Sequence, residues 1–234
     1  MLSAIVVAGG SSRRMGFDKL FAVLKGEAVV AHAIAAFEET SAVREIILVG
    51  RETSLSDLKA IVSRRNFRKV SVVIPGGLRR QDSVARGLER LSPESDFVAV
   101  HDAARPLITV EMIEQIYQAA QTHGGAASGR AVIDTLKRVD DDHLVVSGVD
   151  RTNLFAVETP QIFRRSLLER AYRAMAEARL EVTDEISAVE SMGAPVKIVP
   201  TEEKNFKITF PSDLPLSEFI LGERASRAPG NGRT

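Results

Sequence analysis

The order of apolar runs predicts a doubly wound α/β fold with a mostly parallel sheet and an inserted β-hairpin arm. Three observations point there. Short β-rich runs alternate with stretches of helical period; those runs are predominantly apolar, as suits strands covered on both faces; and one later stretch breaks the alternation. Residues 3–8, 45–49, 70–74 and 97–101 read as the buried parallel strands. Between them, residues 28–37, 56–63 and 83–91 repeat apolar side chains three and four apart, the last through Val84, Leu88 and Leu91, which predicts helices. A further helix is expected over 109–120. The break follows: 131–138, an acidic turn at 140–142 and 144–149 together read as a β-hairpin. Helices resume at 165–178 and 184–191, strands are expected at 196–199 and 206–209, and a last helix starts at 212. The Gly, Pro, Arg and Ser content from Ala225 onward predicts a disordered tail over 225–234.

Composition narrows the function classes. At 234 residues and 44% apolar content the chain can bury the core of one large domain. Thirty-one Lys and Arg balance thirty-one Asp and Glu, so no basic footprint for nucleic acid exists and any anionic ligand must be held by local clusters. With no cysteine, disulfides, thiolate metal sites and cysteine nucleophiles are excluded. No apolar stretch approaches membrane-spanning length, and the first apolar run lacks the preceding basic segment of a signal peptide. These features predict a soluble cytoplasmic protein.

The most informative stretch is AGGSSRRMGFDK, from Ala8 to Lys19, directly after the first strand and therefore at the carboxyl edge of the sheet, where such folds bind ligands. Gly9 and Gly10 let backbone amides approach an anion, Ser11 and Ser12 add hydroxyl donors, and Arg14 and Lys19 bring positive charge. A nucleoside triphosphate fits this pattern, because its transfer chemistry needs donors aimed at phosphorus more than it needs a base. The loop lacks the Gly-Lys-Ser/Thr ending of a Walker sequence and the G-x-G-x-x-G spacing of a dinucleotide site. A glycine turn followed by solvated arginines is the competing structural reading.

Two further clusters lie on sheet-to-helix turns. Gly76 and Gly77 lead through Arg80 into a helix whose first turn holds Ser83; free amides and the hydroxyl can read a base edge, or the motif is simply a capped turn. In HDAARP, from His101 to Pro106, Asp102 ends an apolar strand, where a carboxylate packs poorly but can hold a divalent ion such as magnesium beside substrate phosphates. Arg105 can fork onto a second phosphate, and a local cap with an ion pair is the alternative. The acidic run at 140–142 reads as a solvated hairpin tip, His32 and His123 as structural, and Met15, Phe17, Leu20 and Phe21 as core.

These stretches, with DTLKR from Asp134, VDR from Val149, TPQ from Thr159, TDE from Thr183 and NFKIT from Asn205, resemble the 2-C-methyl-D-erythritol 4-phosphate cytidylyltransferases over about residues 3–219. The resemblance implies a Rossmann-like nucleotidyltransferase fold in one domain over 1–224, its β-arm at about 131–153 exchanged between the subunits of a homodimer. By carry-over, Arg14, Lys19 and Lys207 stabilise the triphosphate in the transition state. Ala8, Gly9, Gly10, Ser12, Gly77, Arg80 and Ser83 form the CTP site, and Asp102 lies at magnesium. Asp102, Arg105, Thr135, Arg151 and Thr183 face the sugar-alcohol phosphate, with Thr135 and Arg151 acting from the partner's arm. Departures are Gly9 for a common alanine, Ser12 for a common glycine, Leu78 for a frequent acidic residue and Ala131 for a common proline. The loop itself looks more like those of molybdenum-cofactor nucleotidyltransferases. Competing readings are transfer to ribitol 5-phosphate or to molybdopterin, a catalytically idle nucleotide-binding regulator, and a Rossmann oxidoreductase.

Overall fold

A computed structural model describes residues 1–10 and 15–227. The first half alternates as expected. It runs β1 (Leu2–Ala8), a small ribbon of β2 (Val23–Leu24) and β3 (Glu27–Ala28), α1 (Val29–Glu39), β4 (Val43–Gly50), α2 (Leu55–Arg65), β5 (Val70–Pro75), α3 (Arg80–Leu88), β6 (Phe97–Asp102) and α4 (Val110–His123). The second half holds β7 (Gly125–Ala131), a hairpin of β8 (Leu136–Val139) and β9 (Val145–Val149), β10 (Phe155–Arg164), α5 (Arg165–Ala178), α6 (Glu185–Glu190), β11 (Lys197–Pro200) and α7 (Asp213–Arg227). Seven strands form one sheet in the order β11-β7-β10-β6-β1-β4-β5, parallel except that β10 runs antiparallel to its neighbours.

The continuous apolar character of β1 follows from its central place. Leu2, Ala4 and Val6 join one core with Ile34 and Phe37 of α1 and Ile113 of α4, while Ile5 joins the other with Val84 and Leu88 of α3 and Leu168 of α5. Successive strand residues point to opposite faces, so both faces are dry. Packing of α3 onto β1 is close enough that a Cβ on Gly87 would lie 2.7 Å from Ile5 Cγ2. Helix α4 starts where Thr109 Oγ1 accepts from the Met112 amide at 3.3 Å and ends at Gly124, whose φ of 84° suits the left-handed cap.

The sheet differs from the sequence reading in its second half. The sequence does not predict β7, GAASGRA, as a strand, because small residues with two glycines carry little β preference; it is held by α4 beneath and by β10 and β11 on either side. β10 escapes prediction as well, since Pro160 within it argues against an interior strand; its ladder to β7 breaks there, between Val157 and Gln161. The strand expected at 206–209 does not form: that segment crosses the end of β6, donating Ile208 N to Ala104 O at 2.8 Å rather than joining a ladder. Finally, α7 continues to Arg227, three residues into the expected disordered tail, because Arg224 ties it to Leu107 O and Glu203 and Ser226 Oγ bonds Glu223 O; residues 228–234 lie outside the described ones. Among the described residues no helix is long and apolar enough to cross a membrane.

Candidate functional site

Strand order reverses beside β1: the chain goes outward to β4 and β5, then returns to β6 on the other side. The crevice this opens at the strands' carboxyl ends is the expected binding position of a doubly wound sheet. A cleft of about 350 Å³ lies there, a size suited to a small molecule. The turn expected to cradle phosphate and the turn expected to read a base edge both reach it, through Gly9 and Gly10 after β1 and through Gly77, Arg80 and Ser83 after β5. Ser83 fixes the second turn to its helix, its Oγ accepting from the Gly77 amide at 3.1 Å, and a Cβ on Gly77 would come within 2.3 Å of Asp82 Cβ. Glycine is therefore required at Gly77 by close approach.

The charged side chains converge from three elements. Asp102 leaves the end of β6 and holds two cations, Arg80 Nε on Oδ1 at 2.9 Å and Lys207 Nζ on Oδ2 at 2.8 Å. Burial alone would raise the Asp102 carboxyl, but attraction and hydrogen bonds from Arg80 and Lys207 prevail and hold it well below the usual carboxylate range. Lys19 sits in a short 3-10 turn (Lys19–Phe21) capped by Asp18, which also pairs with Arg51. Its ammonium donates to Ile208 O at 2.6 Å, so the 205–208 segment carries one lysine of the site and grips the other.

Behind this pair lies a layer that the sequence reading did not assign. Glu185, fully buried at the start of α6, accepts both terminal nitrogens of Arg80 at 2.8 and 3.0 Å, and Tyr172 OH at 3.0 Å. Burial opposes the charge on Arg80, yet Glu185 and Asp102 together raise its affinity for the proton above the ordinary arginine value. The TDE motif carried a signal for Glu185, but an acidic residue in the first turn of a helix reads as a dipole partner.

His101 precedes Asp102 with its ring entirely buried against Phe37, centroids 5.1 Å apart. Thr159 Oγ1 lies 3.2 Å from Nδ1 and also accepts the Asp102 amide at 3.0 Å, while Nε2 faces the Arg105 carbonyl at 3.2 Å. The neutral ring protonated on Nε2 satisfies every one of these contacts. Loss of hydration on burial outweighs the attraction of Asp102 and lowers the ring to about 4.

Of the other expected site residues, Ala8 is buried in the core at the end of β1 and does not line the cleft. Arg105 is half-buried and donates Nη1 to Asn205 O at 2.9 Å; its buried Nε has no hydrogen-bond partner among the described residues. Thr183 is exposed just before the α6 cap, outside the cleft lining. Thr135 and Arg151 stand exposed on the arm, where Arg151 bonds Ile133 O, and the single chain does not bring them to the cleft. Ser12 and Arg14 lie outside the described residues. Met15 and Leu20 are core as expected, whereas Phe17 is 47% exposed.

A mostly parallel sheet with a polar crevice at its reversal point, two glycine turns and lysines around a strand-end carboxylate define an α/β fold of the nucleotidyltransferase class. Comparison with known proteins narrows the class. The family model for 2-C-methyl-D-erythritol 4-phosphate cytidylyltransferase (IspD) matches residues 2–223, and the chain belongs to that family. Two relatives carrying that name are 38% identical over 97% of this chain and 96% of their own length, in Pelotomaculum thermopropionicum, and 39% identical over 95% of each, in Alkaliphilus oremlandii. Among solved structures, the 4-diphosphocytidyl-2C-methyl-D-erythritol synthase of Anaerococcus prevotii superposes with a TM-score of 0.83 at 27% identity, covering 94% of this chain and 96% of its own. The cytidylyltransferase of Thermus thermophilus does so with 0.77 at 30% identity, covering 94% and 98%.

Proposed function

We propose that the chain transfers a cytidylyl group from CTP to 2-C-methyl-D-erythritol 4-phosphate, releasing pyrophosphate. The observation that carries this reading is the pairing of Lys19 and Lys207 through the 205–208 segment, which presents two ammonium groups beside Asp102 and the glycine turns. A triphosphate seated there meets backbone amides at its oxygens and lysines where charge builds. The acceptor phosphate, already anionic near neutral pH, attacks the α-phosphorus in line and pyrophosphate leaves without a covalent intermediate, so positioning and charge stabilisation do the catalysis. Arg105, whose buried Nε lacks a partner among the described residues, offers a donor to the acceptor's anion. Arg14 joins the lysines and Ser12 the glycine turn in this reading.

Magnesium is the divalent ion proposed here. Asp102 is the carboxylate of the cleft, and no group of three metal-binding side chains occurs among the described residues. That donor set fits an ion carried in on triphosphate oxygens with Asp102 as its protein ligand, better than a resident ion in an all-protein cage. When bound, the ion neutralises developing charge on the phosphates.

The acceptor side is proposed to be completed by a second copy of the chain. The arm exposes Ile133, Leu144, Val145 and Val146, each more than 60% accessible, and carries Thr135 and Arg151 away from their own cleft. Exchange of arms in a homodimer covers the first set and delivers the second. The test of the activity is pyrophosphate release with CTP, GTP, ATP and UTP against a panel of phosphorylated polyols, with magnesium; release that is greatest with CTP and methylerythritol phosphate supports the reading, and release confined to another pair overturns it.

A further inference from the structure

Asp102 holds two cations, and the fold secures them unequally. Lys207 reaches Asp102 Oδ2 from the 205–208 crossing segment, with 41% of its side chain accessible to solvent. Arg80 is clamped from behind: besides Nε on Asp102, both terminal nitrogens fork onto Glu185. A bidentate guanidinium–carboxylate pair fixes direction as well as distance. Glu185 is itself immobilised. Its carboxylate accepts Tyr172 OH, its amide and that of Ile186 both donate to Gln161 Oε1 at 3.0 Å, and Gln161 Nε2 returns to Asp184 Oδ2 at 2.9 Å. A chain of packed, hydrogen-bonded groups thus runs from β10 and α5 through α6 to the cleft.

From this asymmetry we infer that Glu185, backed by Tyr172, is a positioning residue that keeps Arg80 on Asp102 when a triphosphate arrives, leaving Lys207 as the cation that changes partner. The inference rests on the nucleotide-transfer reading above. A triphosphate carries more negative charge than Asp102 and competes for every nearby cation. Lys207, half-exposed on a flexible stem, transfers to it and uncovers Asp102 Oδ2 for the ion or acceptor. Arg80 cannot follow without abandoning a buried carboxylate. With Glu185 neutral, Arg80 is free to follow too; the nucleotide is then held at least as well, but Asp102 loses the partner that orients it, and the chemical step suffers.

Glu185→Gln keeps the volume and the Tyr172 contact while removing the charge. The expected result is a kcat for pyrophosphate release reduced about 10- to 100-fold, as displacements near an ångström cost in oriented reactions, with the KM for CTP unchanged or lower. Combining Glu185→Gln with Arg80→Ala should add nothing to the loss from Arg80→Ala alone, since the effect runs through that side chain. A readout independent of turnover is the Arg80 Nε–Hε resonance, identified by its disappearance in Arg80→Ala: it should be sharp in the wild-type protein and broadened in Glu185→Gln. Wild-type kcat in Glu185→Gln, a KM raised more than tenfold, or an unaltered resonance overturns the inference. Should Glu185→Gln fail to fold, Tyr172→Phe decides the point instead: a broadened resonance supports the positioning role and an unaltered one overturns it. A wild-type protein inactive with CTP would refute the activity reading alone, with the resonance still deciding the role of Glu185.

Discussion

Acidification should destabilise this protein through one histidine. His101 is fully buried, and its neutral ring uses Nδ1 to accept from Thr159 and Nε2 to donate to the Arg105 carbonyl. A second ring proton would point at Thr159 Oγ1, which already accepts the Asp102 amide, and would put a charge among Phe37 and the strand cores. The folded state therefore binds that proton near pH 4, against 6.5 for the ordinary side chain. Because the unfolded chain takes up the proton first, the stabilising contribution is complete above pH 6.5 and is lost as pH falls toward 4. Linkage over that interval makes the His101 share of the loss between about pH 7 and about pH 5 roughly 2 kcal/mol, before most carboxylates titrate. Urea unfolding at both pH values, for the wild type and for His101→Gln, measures it. The variant starts lower because its ring packing is gone, yet its stability should change less between the two pH values by about that amount. Equal slopes for the two proteins, or a His101 resonance titrating near 6.5, would refute the burial argument.

The same geometry sets four further outcomes. Lys19→Ala should reduce pyrophosphate release by about two to three orders of magnitude, the range for loss of a charge-stabilising donor, with circular dichroism unchanged; wild-type turnover would remove Lys19 from the mechanism. Equal mixing of Arg151→Ala with Lys19→Ala subunits should restore about a quarter of wild-type activity, because half the dimers are mixed and each carries one intact site; no recovery argues against exchanged arms. Gly87→Val should cost at least about 1 to 3 kcal/mol by overpacking, read as a lower urea midpoint, since its Cβ would lie 2.7 Å from Ile5 Cγ2. Thr109→Ala should cost about 1 kcal/mol through loss of the α4 cap, visible in the same experiment.

How legible the molecule was depended on whether a segment's own residues or its neighbours decide its state. β1, β4, β5 and β6 are apolar and β-branched along most of their length, so local preference and burial agree, and Asp102 stood out as a carboxylate ending such a run. The glycine turns were readable for the same reason: the close approach at Gly77 leaves no room for a side chain. β7 is a strand because β10 and β11 flank it, and no residue within GAASGRA announces that. The 206–209 segment has the apolar pattern of a strand but was claimed by the cleft, where Lys207 and the Ile208 carbonyl serve Asp102 and Lys19. Glu185 was hidden because its meaning lies in a guanidinium 105 residues away.

The grip of Lys19 on Ile208 spans 189 positions of the chain. During synthesis at roughly 5 to 20 residues per second, the amino-terminal glycine turn leaves the ribosome many seconds before the segment that completes its surroundings. A nascent or prematurely terminated polypeptide ending between Asp102 and that segment would have the first glycine turn and Asp102 but neither Lys207 nor the carbonyl that steadies Lys19. The paired arrangement of Lys19 and Lys207 is thus deferred until the 205–208 segment has been made and folded back onto the end of β6.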